Sequence, residues 1–106
     1  MQLIEARDIV LKSMVPANIR QQNRPVRIRL NGQIMVLASG KSLWKTEGNA
    51  KSALRNHLRS CFSHQEWNDL VKNEPSVANL SPYLQHSKFE DLLLKHILQQ
   101  VQFEHL

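Results

Sequence analysis

The residues that most constrain the fold of this chain are Asn31 and Gly32, which stand between the alternating run Val26–Leu30 and the apolar run Ile34–Ala38. Both residue types accept positive φ, so Asn-Gly favours the two-residue turn of a β-hairpin. Such a turn pairs Leu30 with Gln33, and a longer loop would shift that register. The register predicts an apolar face that consists of Val26, Ile28, Leu30, Met35 and Leu37.

The other face of this hairpin is predicted to carry Arg27 and Arg29 beside the apolar Ile34 and Val36. A face that only meets water would usually have polar residues opposite the arginines. We therefore expect cover for this face. Another element of the chain, such as the first or last helix, is favoured over a partner molecule.

The remaining elements follow from helical periodicity, capping residues and breakers. A turn at Ser39–Lys41 and a short third strand at Ser42–Lys45 are expected after the hairpin. A polar loop, Ala17–Asn23, is predicted between the first helix and the hairpin. The predicted helices are Leu3–Val15 (ended by Pro16), Asn49–Phe62, Ser63–Lys72 (with a capping box), one turn at Pro82, and Lys88–Phe103 (after a capping box at Ser87).

These elements predict an α+β fold. It has an N-terminal helix, an antiparallel hairpin or three-stranded sheet, an amphipathic helix packed on the sheet, and a helical C-terminal tail. A length of 106 residues predicts a single domain over 1–106. Its charge divides in two, because residues 1–63 carry eleven Lys and Arg against three acidic residues, whereas residues 64–106 carry three against six. The basic part is predicted to meet something anionic.

Cationic and amide side chains of the basic part form the candidate nucleic-acid-binding site. Lys and Arg suit phosphates, Asn and Arg suit base edges, and Trp44 could stack on a base. A solvated outer face is the alternative interpretation. The candidate residues are Arg27, Arg29, Lys41, Trp44, Lys45, Lys51, Arg55, Asn56 and Arg59.

No catalytic, metal or cofactor motif stands out in the sequence, so we predict a protein that is not an enzyme, with no cofactor and no metal. The five histidines are scattered without an i, i+4 pair, and His57 is expected in the core. The single cysteine, Cys61, excludes an internal disulfide and is expected to be a small buried hydrophobe. A nucleophile and base that meet only in space remain open.

The segment from Trp44 to Leu54, which joins the predicted sheet to the next helix, resembles small three-strand-plus-helix DNA-binding domains such as the arm-binding domains of phage integrases. The likeness lies in element order and an alanine pattern. It implies a sheet that enters the major groove and assigns no role to any residue.

Two functions follow as hypotheses. The first is a small basic protein that binds DNA or RNA through the sheet face and the helix stripe. The alternative is a protein–protein interaction module, such as a phage-type inhibitor or adaptor that docks on an acidic host protein. A homodimer through the last helix is the alternative to its internal packing. We expect no membrane segment and a cytoplasmic location.

Overall fold

The computed structural model describes residues 1–38 and 45–105, and the fold is α+β as predicted. Its elements are α1 (Leu3–Lys12), β1 (Met14–Pro16), α2 (Ile19–Gln22), β2 (Val26–Leu30), β3 (Gln33–Leu37), α3 (Glu47–Ser60), α4 (His64–Lys72), a 3-10 turn (Pro75–Val77), α5 (Pro82–Leu98) and β4 (Gln102–His105). The predicted turn at Ser39–Lys41 and residues 42–44 of the predicted third strand lie outside the described residues. Lys45 is in a bend.

The predicted hairpin is confirmed. Asn31 and Gly32 have φ of 51° and 79°, which is the left-handed region that their side chains tolerate. Leu30 pairs with Gln33, and the neighbouring pairs follow the same register. Two of the predicted inner residues, Val26 and Ile28, are almost completely buried.

The hairpin is the centre of a four-stranded antiparallel sheet of order β1-β3-β2-β4 in the described part of the chain. The prediction that the first helix reaches Val15 is wrong. The helix ends at Lys12, and Met14 and Val15 pair with Leu37 and Val36 of β3. Because the apolar spacing of these residues also fits a helix, the sequence did not reveal the strand. Pro16 is tolerated there because β1 is an edge strand.

The C-terminal region also differs from the prediction. A single helix, α5, runs from Pro82 to Leu98, so Ser87 lies inside it and starts no new helix. The predicted helix end at Phe103 is wrong as well, because Gln102–His105 forms β4 and pairs with β2. The charge boundary near residue 63 is therefore no boundary in the fold: the acidic part contributes a strand to the sheet of the basic part.

The connection that contains α2 crosses the outer face of the sheet. Because β1 and β2 run parallel on either side of β3, the chain between them has to pass over one face. The Arg27 Nη1 donates a hydrogen bond to the Gln22 carbonyl at 3.4 Å, which places the connection on the outer face. Val36 is accordingly buried there. The outer face is thus covered at Val36, and the end of α2 lies beside it at Arg27.

The inner face packs against helices and forms the core. Helix α3 contacts β2 and α5, and α5 contacts α1. Helix α3 begins two residues before the prediction, after the N-cap Thr46, and α4 begins at the predicted Ser63 capping box. No described helix is long and apolar enough to cross a membrane. The largest fully buried side chains are Trp67, Phe89, Ile28, Leu54, Leu58, Leu93, Ile97, Val10 and Val26.

Candidate nucleic-acid interface

The stretch from residue 9 to residue 46 contains seven Lys and Arg and no acidic residue. It supplies β1, α2, β2 and β3, and thus most of the outer sheet face and the connection that crosses it. We use "outer-face cluster" for the four arginines that belong to this surface. Its members are Arg20 on α2, Arg24 after it, and Arg27 and Arg29 on β2.

Glu104 of β4 reaches the outer-face cluster from the far end of the sequence. Its carboxylate accepts hydrogen bonds from Arg29 Nε at 2.6 Å and from Arg29 Nη2 at 3.0 Å. This two-point pairing lowers the pKa of Glu104 and raises that of Arg29, in each case through the hydrogen bonds first. Arg29 Nη1 also donates to the Gly32 carbonyl at 2.7 Å, so the Arg29 guanidinium is held on both sides.

The other arginines of the cluster are held less firmly. Arg27 Nη2 lies 3.9 Å from Glu104, and its bond to the Gln22 carbonyl is long at 3.4 Å. No ion pair within the described part of the chain involves Arg20 or Arg24. Glu104 is thus paired with two of the four arginines only, and the cluster keeps a net positive charge.

The second predicted surface, on α3, is electrically balanced. We call Lys51, Arg55 and Arg59 the α3 stripe. The Lys51 ammonium lies 3.2 Å from Glu47 of the same helix. The acidic groups that pair with the two arginines come from α5. The α5 distances are Arg55 to Asp91 at 2.7 Å, Arg55 to Glu90 at 3.1 Å, and Arg59 to Glu90 at 3.8 Å.

Three carboxylates therefore match the three cations of the α3 stripe. The hydrogen bond that Arg55 donates to Asp91 is the largest cause of the raised pKa of Arg55, and the bond that Glu47 accepts from Lys51 is the largest cause of the lowered pKa of Glu47. The Arg59 guanidinium also stacks over the ring of Trp67, at 4.3 Å from its centroid. The stripe holds α3 to α4 and α5.

Of the four remaining candidate residues, two belong to the described part of the chain and two lie outside it. Asn56 and Lys45 are exposed, and Asn56 lies beside Arg59 in a surface depression near Trp67. Lys41 and Trp44 lie outside the described residues, so their predicted roles stay predictions. The structure brings Arg27 and Arg29 together and separates them from the α3 stripe, which lies on the helical side of the sheet.

Sequence reasoning missed Arg20, which fell in the segment interpreted as a loop, and Arg24, which stood just before the predicted hairpin strand. The absence of acidic residues from 9 to 46 was a signal that could have found them. It also missed Glu104, which followed the predicted end of the last helix and was given no contact with the sheet. Only the β4 register, which sets Glu104 opposite Arg27, reveals that contact.

A second polar cluster joins the end of α1 to α3. His57 is buried, and its Nε2 lies 2.6 Å from Ser13 Oγ and 3.7 Å from Cys61 Sγ. Ser13 Oγ donates in turn to the Val10 carbonyl, so the hydrogen-bond pattern gives the Nε2 proton to His57. Burial lowers the pKa of His57, which keeps its ring neutral near pH 7.

This arrangement makes His57 a hydrogen-bonded core histidine, as the sequence analysis expected. Sequence reasoning compared histidines only with one another and overlooked that His57 and Cys61 are themselves an i, i+4 pair on one helical face. Cys61 is half-buried beside the core. Within 1–38 and 45–105, no three His, Cys, Asp or Glu side chains are grouped so that they could hold a metal ion.

Comparison with known proteins gives no relative from which a role could be carried over. The chain matches no protein-family model, no curated protein and no solved structure.

Proposed function

We propose that this chain is a non-catalytic protein that binds the phosphate backbone of DNA or RNA through its outer sheet face and α2. The observation that carries the proposal is the acid-free stretch from residue 9 to residue 46, which builds that face. Cations that lack a carboxylate partner attract counterions, and a polyanion that displaces these counterions gains free energy.

The two basic surfaces differ in what they can offer a phosphate. A guanidinium of the α3 stripe has to give up a carboxylate before it can bind, so its net contribution is small. Arg20 is exposed and has no carboxylate partner among the described residues, so it can bind a phosphate without first breaking an ion pair.

Salt dependence and a matched pair of variants test the proposal. Fluorescence anisotropy with single- and double-stranded oligonucleotides is measured at about 50 and 200 mM salt, a range over which phosphate contacts weaken strongly. Arg20→Ala is compared with Lys72→Ala, which removes one exposed positive charge from α4. We expect steep salt dependence and weaker binding by Arg20→Ala alone. Equal weakening by both variants, or flat salt dependence, would contradict binding at the outer face.

The alternative, a protein–protein module such as a phage-type inhibitor or adaptor, is favoured by apolar groups beside the same face. Val15 on β1 and Ile19 on α2 are exposed, Ile19 to 82%. An acidic protein with an apolar patch would suit this combination of charge and apolar surface. Capture of a partner that survives nuclease treatment and is lost in Ile19→Ser would favour this alternative over nucleic acid.

Three further expectations belong to this proposal. A cytoplasmic location suits a chain with one free cysteine. The Ser13–His57–Cys61 cluster, in which His57 is buried, serves packing and not catalysis. A homodimer through α5 would use Leu98, which is half-buried beside a depression that Asp91, Lys95 and Gln99 also line. Sedimentation at several protein concentrations tests this self-association.

A further inference from the structure

The buried indole of Trp67 depends on one histidine for its hydrogen bond. Trp67 lies on α4 and is 2% exposed, and its Nε1 donates a hydrogen bond of 3.1 Å to Nδ1 of His86 on α5. Among the described residues, this N–H has no second acceptor. Because an indole N–H can only donate, Nδ1 of His86 has to be the unprotonated nitrogen of its ring. The contact between α4 and α5 therefore contains a bond that requires a neutral imidazole.

Three side chains pack around the Trp67 ring and leave it little room to turn to another acceptor. The Phe89 ring meets it edge-on with 5.1 Å between the centroids, and the Phe62 ring lies at 6.1 Å. The Arg59 guanidinium lies over the ring at 4.3 Å from its centroid. A proton on His86 would therefore place a second positive charge beside a ring on which a cation already stacks.

Glu90 connects the histidine to the arginine. Its carboxylate lies 3.1 Å from Arg55 and 3.8 Å from Arg59. It also follows His86 by four residues on α5, so the two side chains lie on the same face of that helix. We use "Trp67 cluster" for the four side chains that these contacts join. They come from three helices and are Arg59, Trp67, His86 and Glu90.

Few other titratable groups face the Trp67 cluster from the elements that pack around it. His64, at the start of α4, lines the depression that Arg59 and Trp67 also line. The 3-10 turn beside α5 contains no charged residue, and Tyr83 on α5 is 85% exposed. The remaining charged residues of α4 and α1 are exposed or paired with each other; they are Glu66, Asp69 and Lys72 on α4, and Glu5, Arg7, Asp8 and Lys12 on α1.

We propose that the Trp67 cluster is a pH-sensitive contact that holds α4 to α5 and keeps Arg59 matched while His86 is neutral. Imidazole takes up a proton within the range from about pH 8 to about pH 5. An imidazolium has no accepting nitrogen, so Trp67 loses its bond. The new positive charge repels the Arg59 guanidinium and attracts Glu90, which lies one helical turn away. Arg59 thereby loses hold of its two partners in the described part of the chain, Glu90 and the Trp67 ring.

This contact changes in one direction as the pH falls. At neutral pH the three cations of the α3 stripe are matched by carboxylates. At acid pH they share Glu90 with His86, so the stripe gains positive charge. The lost indole bond destabilises the fold and the attraction to Glu90 stabilises it, so local signals report the change better than the unfolding midpoint does. The proposal does not depend on nucleic-acid binding.

The indole resonance of Trp67 tests the proposal in the full ¹⁵N-labelled chain, titrated from about pH 7.5 to about pH 5. The chain has two tryptophans, and Trp44→Phe assigns the two signals. We expect the Nε1–Hε1 resonance of Trp67 to move upfield as the pH falls, because its proton leaves a hydrogen bond. The midpoint should equal that of the His86 ring resonances. A Trp67 resonance that stays in place while His86 titrates would overturn the proposal.

The release of Arg59 is measured on its Nε–Hε resonance in the same titration. We expect this resonance to shift with the midpoint of the Trp67 signal. Arg55 also pairs with Asp91, at 2.7 Å, so its Nε–Hε resonance should move less. A fixed Arg59 resonance would contradict the proposed release.

Two matched variants identify the group that takes up the proton. In His86→Gln the amide oxygen can accept the indole bond but cannot be protonated in this range, so the Trp67 resonance should no longer change with pH. His64→Gln removes the other histidine of the depression and should leave the Trp67 titration as it is in the unmodified chain. A titration that persists in His86→Gln, or disappears in His64→Gln, would assign the proton to another group and overturn the proposal.

Discussion

The outer sheet face and the α3 stripe are alike in sequence and unlike in structure. Each presents lysines or arginines at regular spacing, as solvent-facing positions of a strand and a helix do. In the fold, the stripe meets Glu47, Glu90 and Asp91, whereas the outer face meets Glu104 alone among the described ion pairs. Regular spacing of cations thus predicts which face of an element they lie on. It does not predict whether carboxylates of other elements neutralise their charge.

The largest expected difference between the two surfaces comes from removing two charges from each. Arg20→Gln with Arg24→Gln should weaken oligonucleotide binding about tenfold at 150 mM salt, where distant charges are screened within about 8 Å. Arg55→Gln with Arg59→Gln should change binding less than about twofold, and should lower the free energy of unfolding by about 1 kcal/mol through lost ion pairs and stacking on Trp67. Anisotropy and denaturant titration measure the two effects. Equal loss of affinity in both double variants would show that the two surfaces contribute equally to oligonucleotide binding.

A smaller effect of opposite sign is expected when the carboxylate of the outer face is neutralised. Glu104→Gln frees positive charge on Arg27 and Arg29, so affinity for an oligonucleotide should rise about threefold at low salt. Glu90→Gln is the matched control on the α3 side, where the affinity should stay nearly constant. Unchanged affinity in Glu104→Gln would show that the two β2 arginines take no part in binding.

The inner side of α3 gives a pH-dependent prediction. Burial lowers the pKa of His57 below its ordinary value of 6.5, so the unfolded chain binds a proton more readily than the folded chain does. Stability should therefore fall as the pH drops below 6.5, by at most about 1.4 kcal/mol per pH unit. Denaturant titrations at pH 7.5 and 5 measure this dependence.

His57→Gln should flatten the pH dependence, and His64→Gln, which changes an exposed histidine, should leave it in place. A slope that survives in His57→Gln would assign the effect to other groups.

The smallest expected effect concerns the contact between the stripe and the sheet edge. The Lys51 ammonium lies 6.0 Å from the centre of the Phe103 ring and pairs with Glu47 one helical turn away. Because both contacts are exposed, Lys51→Ala should lower the free energy of unfolding by a few tenths of a kcal/mol, about the value of an i, i+4 pair. A loss above about 1 kcal/mol would mean that β4 depends on this lysine more than its geometry indicates.

Local signals in the sequence were sufficient for the central elements. Asn31-Gly32 set the hairpin and its register, and Ser63 with Glu66 set the start of α4. Each of these features depends on residues within a few positions of one another. The two edge strands depend on remote partners, and their apolar spacing also fits a helix. Met14 lies four residues after Val10, so the helical pattern continued across β1.

The charge state of the candidate site could not be predicted for the same reason. Arg29 and Glu104 are 75 residues apart in sequence, and Arg55 and Glu90 are 35 apart. A division of the chain into a basic part and an acidic part suggested two separate surfaces. The fold instead sets acidic residues of one part against basic residues of the other, and only the tertiary structure shows which cations stay unmatched.

The position of β4 has a consequence for how the protein is made. Strand β2 emerges from the ribosome with β3 on one side, but the partner for its other side is still untranslated until residues 102–105 appear. During this interval the nascent chain carries an open backbone edge, which is a template for pairing with other chains. Slow translation of the α4–α5 region, or loss of β4, should therefore increase aggregation before it affects the packing of any helix.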